Sequence, residues 1–431
     1  MRLLTILLLC GAALALENAV GRKPALGYNT WNAFGISIDE DIVKATAQRM
    51  IDLGLRDAGY VYLNVDDAWS EPVRVDGKLI GNRATFPSGI KALADYVHSK
   101  GLKFGIYSDA GSHTCAGFPG SRGYEAVDAQ TWADWGVDYL KYDNCFAPAS
   151  DWIVDRYVAM RDALNETDRP VLYSLCEWGV ADPWLWAPEV GNSWRTTEDI
   201  EPTWSSILKI LDYSTGLARF AGPGHFGDLD MLEVGNGELT LGEQRAHFAL
   251  WALFKSPLLI GADLRTIHPD SLAILKAREV IAINQDELGV AGDLIWQQGA
   301  SRVYAAPLAG GGRAVVLLNL HTPGGQYVVS NISVSWEELG LPAGTPAAVR
   351  DLYATADLGT FTDSFTAEVT AHDVRVVRIV PLGGLKHDSW RPWFSQTIRG
   401  PTSPMSDSGG TSGTASDRKM FPGQHSMFAR T

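Results

Sequence analysis

From about residue 24 the chain alternates two textures. Short runs rich in β-branched and aromatic residues are each followed by a stretch with apolar positions at helical spacing. The strand-like runs are "ALGYNTW", "YVYLNVDD", "LKFGIYSD", "VDYLKYDN", "PVLYSLCEW", "GNSWRTT", "RFAGPGHFGDLDML" and "SPLLIGAD". Helical patterns cover Asp39–Leu53, Gly89–Lys100, Tyr124–Trp135, Asp151–Leu164, Thr203–Thr215 and Gly242–Leu253, with a last one over Asp270–Ala277. Polar starts (Ser37, Asp39) and glycine stops (Gly54, Gly101, Gly136) bound several of them. Eight strand–helix units over roughly 270 residues match the size and order of a (β/α)8 TIM barrel, here spanning 24–290. A doubly wound sheet is the other fold built this way. It normally carries a glycine-rich phosphate loop after its first strand, and "GYNTWNAFG" is not one.

Near residue 290 the pattern changes to β-like runs separated by Gly, Pro and Asp turns: "GDLIWQQG", "SRVYAAPLA", "RAVVLLNL", "GQYVVSNISVSW", "AAVRDLYA" and "HDVRVVRIVPL". Residues 291–383 therefore read as a C-terminal antiparallel β-sandwich. The tail 384–431, with "SPMSDSGGTSGTASDRK", is too rich in Ser, Gly, Thr and Pro to bury a core and is expected to be disordered. At the other end, Met1-Arg2 precedes an apolar run closed by Ala13-Leu14-Ala15. That run is too short to span a bilayer and fits a signal peptide over 1–15. The expected destination is secretion, or a vacuole or lysosome reached by the same route.

Composition sharpens the picture in two respects. The formal charge of −14 argues against nucleic acid or an anionic membrane as partner. The 15 Trp and 14 Tyr supply flat faces of the kind that stack on the CH face of a sugar, although such residues also fill cores. Asn165 and Asn331 head glycosylation sequons, in keeping with secretion. Once Cys10 leaves with the signal, Cys115, Cys145 and Cys176 remain, which suggests one disulfide and one free thiol. Cys115 and Cys145 each follow a strand-like run, and Cys176 sits within one. The assembly is left open, a homodimer included.

The candidate chemistry lies where the strands end, because barrel active sites form there. Those ends carry Trp31, Asp66-Asp67, Tyr107 with Asp109, Lys141 with Asp143, Glu177-Trp178, Arg195 with Asp199, and Asp228 with Asp230. A single carboxylate at a strand end is usually a helix cap or half of an ion pair. Acidic residues at six of eight ends exceed what capping explains. Metal-assisted hydrolysis would want paired His ligands, and none of the nine His lies in such a motif, so no metal or cofactor is implied. Glycoside hydrolysis needs one carboxylate as nucleophile or base, a second as acid, and polar groups to hold hydroxyls, and the inventory suits it better.

"GYNTWNAF", "NVDDAW", "FGIYSDAG", "YLKYDNC", "CEWG", "WRTTEDI" and "DLDMLEVGN", in that order, resemble the α-galactosidases of glycoside hydrolase family 27, the melibiases. The family also holds α-N-acetylgalactosaminidases. The resemblance covers about 24–383. It implies a retaining hydrolase acting on terminal α-galactosides, with Asp143 as nucleophile and Asp199 as acid/base. It further implies that Lys141 binds hydroxyls and, as a nearby positive charge, favours the ionised form of Asp143, while Asp199 holds its proton for the leaving oxygen. Asp66 and Asp67 would take the 4- and 6-hydroxyls, and Arg195 the 2-hydroxyl region. Trp31 and Met231 would pack the apolar sugar face, with Tyr107, Cys115, Glu177, Trp178 and Asp230 completing the binding set. Cys115–Cys145 matches the family's active-site disulfide. Three departures stand out: "DDAW" lacks a cysteine the family commonly has, "GHFGDLDML" changes the loop before Asp230, and the tail has no counterpart. The alternative activity is α-N-acetylgalactosaminidase. Where those enzymes place small residues, this chain has Glu177 and Val180. A non-catalytic sugar-binding protein is the distant alternative, and it would have lost Asp143 or Asp199.

Overall fold

The computed structural model describes residues 18–322 and 329–383. The expected signal peptide and tail lie outside them. Eight short parallel strands form the first sheet: β1 (Leu26–Asn29), β2 (Tyr62–Asn64), β3 (Lys103–Asp109), β4 (Tyr139–Asp143), β5 (Leu172–Leu175), β6 (Ser193–Arg195), β7 (Phe226–Asp228) and β8 (Leu258–Ile260). They run in order around the ring, with β8 beside β1. Closure between β7 and β8 comes through Leu232, whose N–H donates to Leu259 O (2.7 Å) and whose carbonyl accepts from Gly261 N (3.1 Å).

The barrel interior is filled by side chains, and two glycines make that filling possible. A Cβ on Gly105 would stand 1.9 Å from Asn64 Oδ1 and 3.1 Å from Tyr139 Cβ. Its absence lets Tyr62 and Tyr139 meet across β3 with ring centroids 5.6 Å apart. Gly27 plays the same part beside Tyr62, where a Cβ would come within 2.4 Å of the carbonyl oxygen. Outside the ring, helices bury one face each. At their starts Asp39, as expected, accepts from Ile42 N at 2.7 Å, and Thr240 with Glu243 forms a capping box that the expected start at Gly242 did not include.

The second part has strands β9 (Asp293–Gln298), β10 (Ser301–Pro307), β11 (Arg313–Asn319), β12 (Val329–Ser335), β13 (Pro346–Asp351), β14 (Ala356–Thr362), β15 (Ser364–Thr370) and β16 (Asp373–Pro381). Six form an antiparallel sheet in the order β14-β13-β16-β11-β10-β9, and β12 pairs with β15. The period of two divides β11 between two cores. Val315 and Leu317 pack with Ile332, Val334 and Phe365 inside the sandwich, while Ala314, Val316 and Leu318 join the barrel core. The sheet is thereby held against the helix Leu241–Leu253, and Arg245 fastens the seam through Asp373 (2.5 Å).

Three elements were not anticipated. A single turn, Trp31–Phe34, follows β1; the last barrel helix is two helices, Pro269–Leu275 and Arg278–Asn284; and two more strands appear, β14 beside β13 and β15 beside β12. β14 escaped notice because it is almost wholly exposed and has no apolar alternation. The run "RFAGPGHFGDLDML" contributes only Phe226–Asp228 as strand. Ahead of it, Gly222 and His225 close a tight bridge, and His225 stacks on Trp194.

Candidate active site

Along β4, Tyr139, Lys141 and Asp143 alternate onto the inner face, and the parallel register sets Tyr107 beside Lys141 and Asp109 beside Asp143. This resolves the placement of a lysine and an aspartate on an otherwise apolar strand: both are delivered into the barrel mouth. Lys141 Nζ donates to Asp66 Oδ2 (2.8 Å), which also accepts from Asn29 Nδ2 (2.7 Å). Asp67 is held by the N–H groups of Ala68 (2.7 Å) and Ala116 (2.9 Å). Asp143 accepts from Tyr107 Oη at 2.9 Å and from Asn144 N at 3.0 Å.

Burial dominates the electrostatics of Asp143. Desolvation pushes its carboxyl up, Lys141 and the Tyr107 hydroxyl pull it back, Asp199 pushes it up again, and it settles at about 6. Lys141 therefore moderates the shift without reversing it, and its direct ion pair is with Asp66. Lys141 thus favours the ionised form of Asp143, in the direction expected, while burial works against it.

Asp199 lies in the loop after β6, its side chain 68% exposed beside the buried Arg195. The guanidinium reaches Asp199 Oδ1 (3.0 Å), Asp230 Oδ2 (2.9 Å) and Thr197 O (3.1 Å). Partial desolvation raises the Asp199 carboxyl, but the attraction of Arg195 and Lys141 outweighs it, and the net displacement is downward. Asp199 is thus drawn down where Asp143 is pushed up.

Asp230 sits in a left-handed conformation (φ 77°), pinned by Arg195, by Ile200 N (2.8 Å) and by Trp251 Nε1 on its carbonyl (2.8 Å). Such a backbone is costly for a non-glycine residue and persists only where neighbours over-determine it. A cavity of about 500 Å³ opens between these groups, lined by Lys141, Arg195, Asp199 and Asp230 on one part and by Trp31, Asn32, Glu233 and Asn236 on another. That volume is within the usual range for small-molecule sites.

The remaining expected residues fall around this centre. Cys115 and Cys145 are disulfide-bonded with Cα atoms 5.1 Å apart, and Cys176 is a buried free thiol. Asp109 ties the bridge to the strand ends by accepting from Cys145 N (2.9 Å). Met231 is packed into the barrel core. Glu177 is fully buried: Oε2 accepts from Ala181 N (2.8 Å), and no described group meets Oε1. Its carboxyl is pushed up to about 7 by burial. Trp178 follows in a left-handed conformation, and Val180 is 73% exposed. Neither Glu177 nor Trp178 borders the cavity just described. Sequence reasoning missed Glu233, Asn32 and Asn236. The run "MLEVGN" offered a signal, since Glu233 and Asn236 stand three apart immediately after the Asp230–Met231 pair.

A TIM barrel whose mouth gathers two unequal carboxylates, a buried Lys–Asp ion pair and a cavity of about 500 Å³ is the frame of a glycoside hydrolase. Residues 28–286 match the family model of α-galactosidase A, and residues 298–379 match that of the α-galactosidase C-terminal β-sandwich. The chain belongs to this melibiase family. It is 49% identical to α-galactosidase 3 of Arabidopsis thaliana over 85% of its own length and 84% of that protein's. Among solved structures, α-galactosidase I of Mortierella vinacea superposes with a TM-score of 0.81 at 37% identity, covering 84% of this chain and 98% of that one. The Saccharomyces cerevisiae α-galactosidase with raffinose gives 0.77 at 32% identity, over 84% and 99%.

Proposed function

We propose that the chain hydrolyses terminal α-galactosides with retention of configuration, Asp143 acting as nucleophile and Asp199 as acid/base. The observation that carries this reading is the unequal placement of the two carboxylates at the strand ends of one barrel mouth, Asp143 buried and Asp199 exposed on the cavity's rim. Asp143 is buried at the end of β4 with its oxygens oriented by Tyr107 and Asn144, as attack on an anomeric carbon requires. Asp199 stands exposed on the next loop but one, placed to meet the leaving oxygen. Attack by Asp143 would form a β-galactosyl ester while the proton of Asp199 passes to the leaving group; water, deprotonated by Asp199, would then release α-galactose.

Asp66 and Asp67 are the natural acceptors for sugar hydroxyls, since Lys141 and the backbone fix their oxygens in advance. A site built on such acceptors discriminates strongly between epimers. The yeast relative bound to raffinose supports galactosyl oligosaccharides as the substrate class; galactomannan side chains and glycoconjugates share the same terminal sugar. Glu177 and Val180 disfavour the α-N-acetylgalactosaminide alternative, because they hold the sequence positions at which the resemblance puts that activity's small residues. We assign 24–290 to the catalytic barrel and 291–383 to the sandwich. Passage through a secretory route agrees with the exposure of Asn165 and Asn331, and a mass shift on deglycosylation tests it.

The deciding experiment follows the first-formed anomer by NMR during cleavage of nitrophenyl α-galactoside. α-Galactose should appear first and mutarotate afterwards. Initial β-galactose would mean inversion and would remove Asp143 from the nucleophile role.

A further inference from the structure

The cavity contains a polar bridge that the proposed chemistry does not use. Glu233, 1% exposed, accepts from Asn32 Nδ2 through one oxygen and from Asn236 Nδ2 (2.6 Å) through the other. Asn32 follows β1 and Glu233 follows β7, the two strand ends that flank β8. In an eight-membered ring β8 lies opposite β4, so this bridge faces Lys141 and Asp143 across the mouth.

Its geometry is fixed from behind. Glu233 N donates to His247 Nε2 (2.9 Å), and His247 lies edge-on against Trp251, with centroids 4.1 Å apart. Trp251 in turn holds the carbonyl of Asp230. Burial pushes the His247 imidazole down to about 3, so it remains a neutral acceptor across the working pH range. The Glu233 carboxyl, which burial pushes up to about 7, is thus a rigid strut, and each asparagine spends one N–H on it. Among the described residues nothing takes the second N–H or the carbonyl oxygen of either amide. Both asparagines are half-buried and border the cavity. Two orientated amides, each with a free donor and a free acceptor, match the alternating donors and acceptors of vicinal hydroxyls.

We propose that the Asn32–Glu233–Asn236 bridge is the subsite for the leaving group, built for a hydroxyl-bearing sugar. Asn32 and Asn236 contact that sugar, and Glu233 is a positioning residue acting through them. This rests on the α-galactosidase reading of the same cavity.

The test compares kcat/KM for melibiose, whose leaving group is a sugar, with that for nitrophenyl α-galactoside, whose leaving group has no hydroxyl. The ratio is measured in the wild-type chain, in Asn236→Ala and in Glu233→Gln. Each variant should lower the melibiose-to-nitrophenyl ratio by about tenfold or more, the loss expected when a buried hydrogen-bonding site is left unpaired. Inhibition by free galactose should weaken far less. A merely structural bridge would reduce both substrates together and leave the ratio unchanged, which would overturn the subsite. Should Glu233→Gln fail to fold, Asn236→Ala alone decides. Failure of the underlying reading is separate: the wild-type chain would not cleave nitrophenyl α-galactoside at all.

Discussion

Replacing Tyr107 with Phe isolates one hydrogen bond to the proposed nucleophile. The ring stays, so the packing and the Lys141 ammonium 5.3 Å from its centroid are retained, and only the hydroxyl 2.9 Å from Asp143 Oδ2 is lost. A hydrogen bond to a charged group contributes about 1.5–3 kcal/mol, and one pKa unit corresponds to about 1.4 kcal/mol. The bond favours the ionised carboxylate, so its loss raises the titration of Asp143 by about one to two units from its position near 6. Asp143 must be ionised to attack, and activity therefore falls on the acid side of that titration. The acid limb of the kcat/KM–pH profile should move upward by at least about one unit. At pH 5 the ionised fraction then drops about tenfold or more, while activity well above the limb changes much less. Because Asp143 and Asp199 interact, the limb belongs to the pair, and its displacement is the meaningful reading. The assay is hydrolysis of nitrophenyl α-galactoside from pH 3 to 9. A uniform loss at every pH, with the limb unmoved, would refute the claim that Tyr107 sets the ionisation of Asp143.

Two further substitutions probe the surroundings. Glu177→Ser with Val180→Ala should raise activity on α-N-acetylgalactosaminides and lower it on α-galactosides; parallel loss of both activities would show that the 2-substituent does not lie there. Cys115→Ala with Cys145→Ala opens a cross-link spanning 30 residues, which should cost about 3–4 kcal/mol in the chain-entropy account. It should also free the strand-end loop tied to Asp109, so urea unfolding and kcat should fall together. Unchanged stability would mean that the bridge constrains the unfolded chain little.

Most of the architecture was legible along the chain because its signals are local. Alternating strand and helix periods announced the eight units, and Asp39 and Gly136 punctuated the helices through caps that need only neighbouring residues. The strand-end position of Lys141 and Asp143 followed from the period of two. β14 carried no such signal, since an exposed strand needs no apolar alternation and is defined by its partner β13.

The balance of charge in the mouth was a tertiary matter. Sequence spacing placed Lys141 two residues from Asp143, yet the folded lysine spends its ion pair on Asp66, 75 positions away. Arg195 likewise joins Asp199 to Asp230, a residue from the following strand end. The Asn32–Glu233 contact spans 201 positions and exists only because the ring brings the β1 and β7 ends to either side of β8. Residue types and strand periods established which groups reach the barrel mouth. Their pairing and protonation depended on distance and burial, and those quantities arise only when the sheet closes.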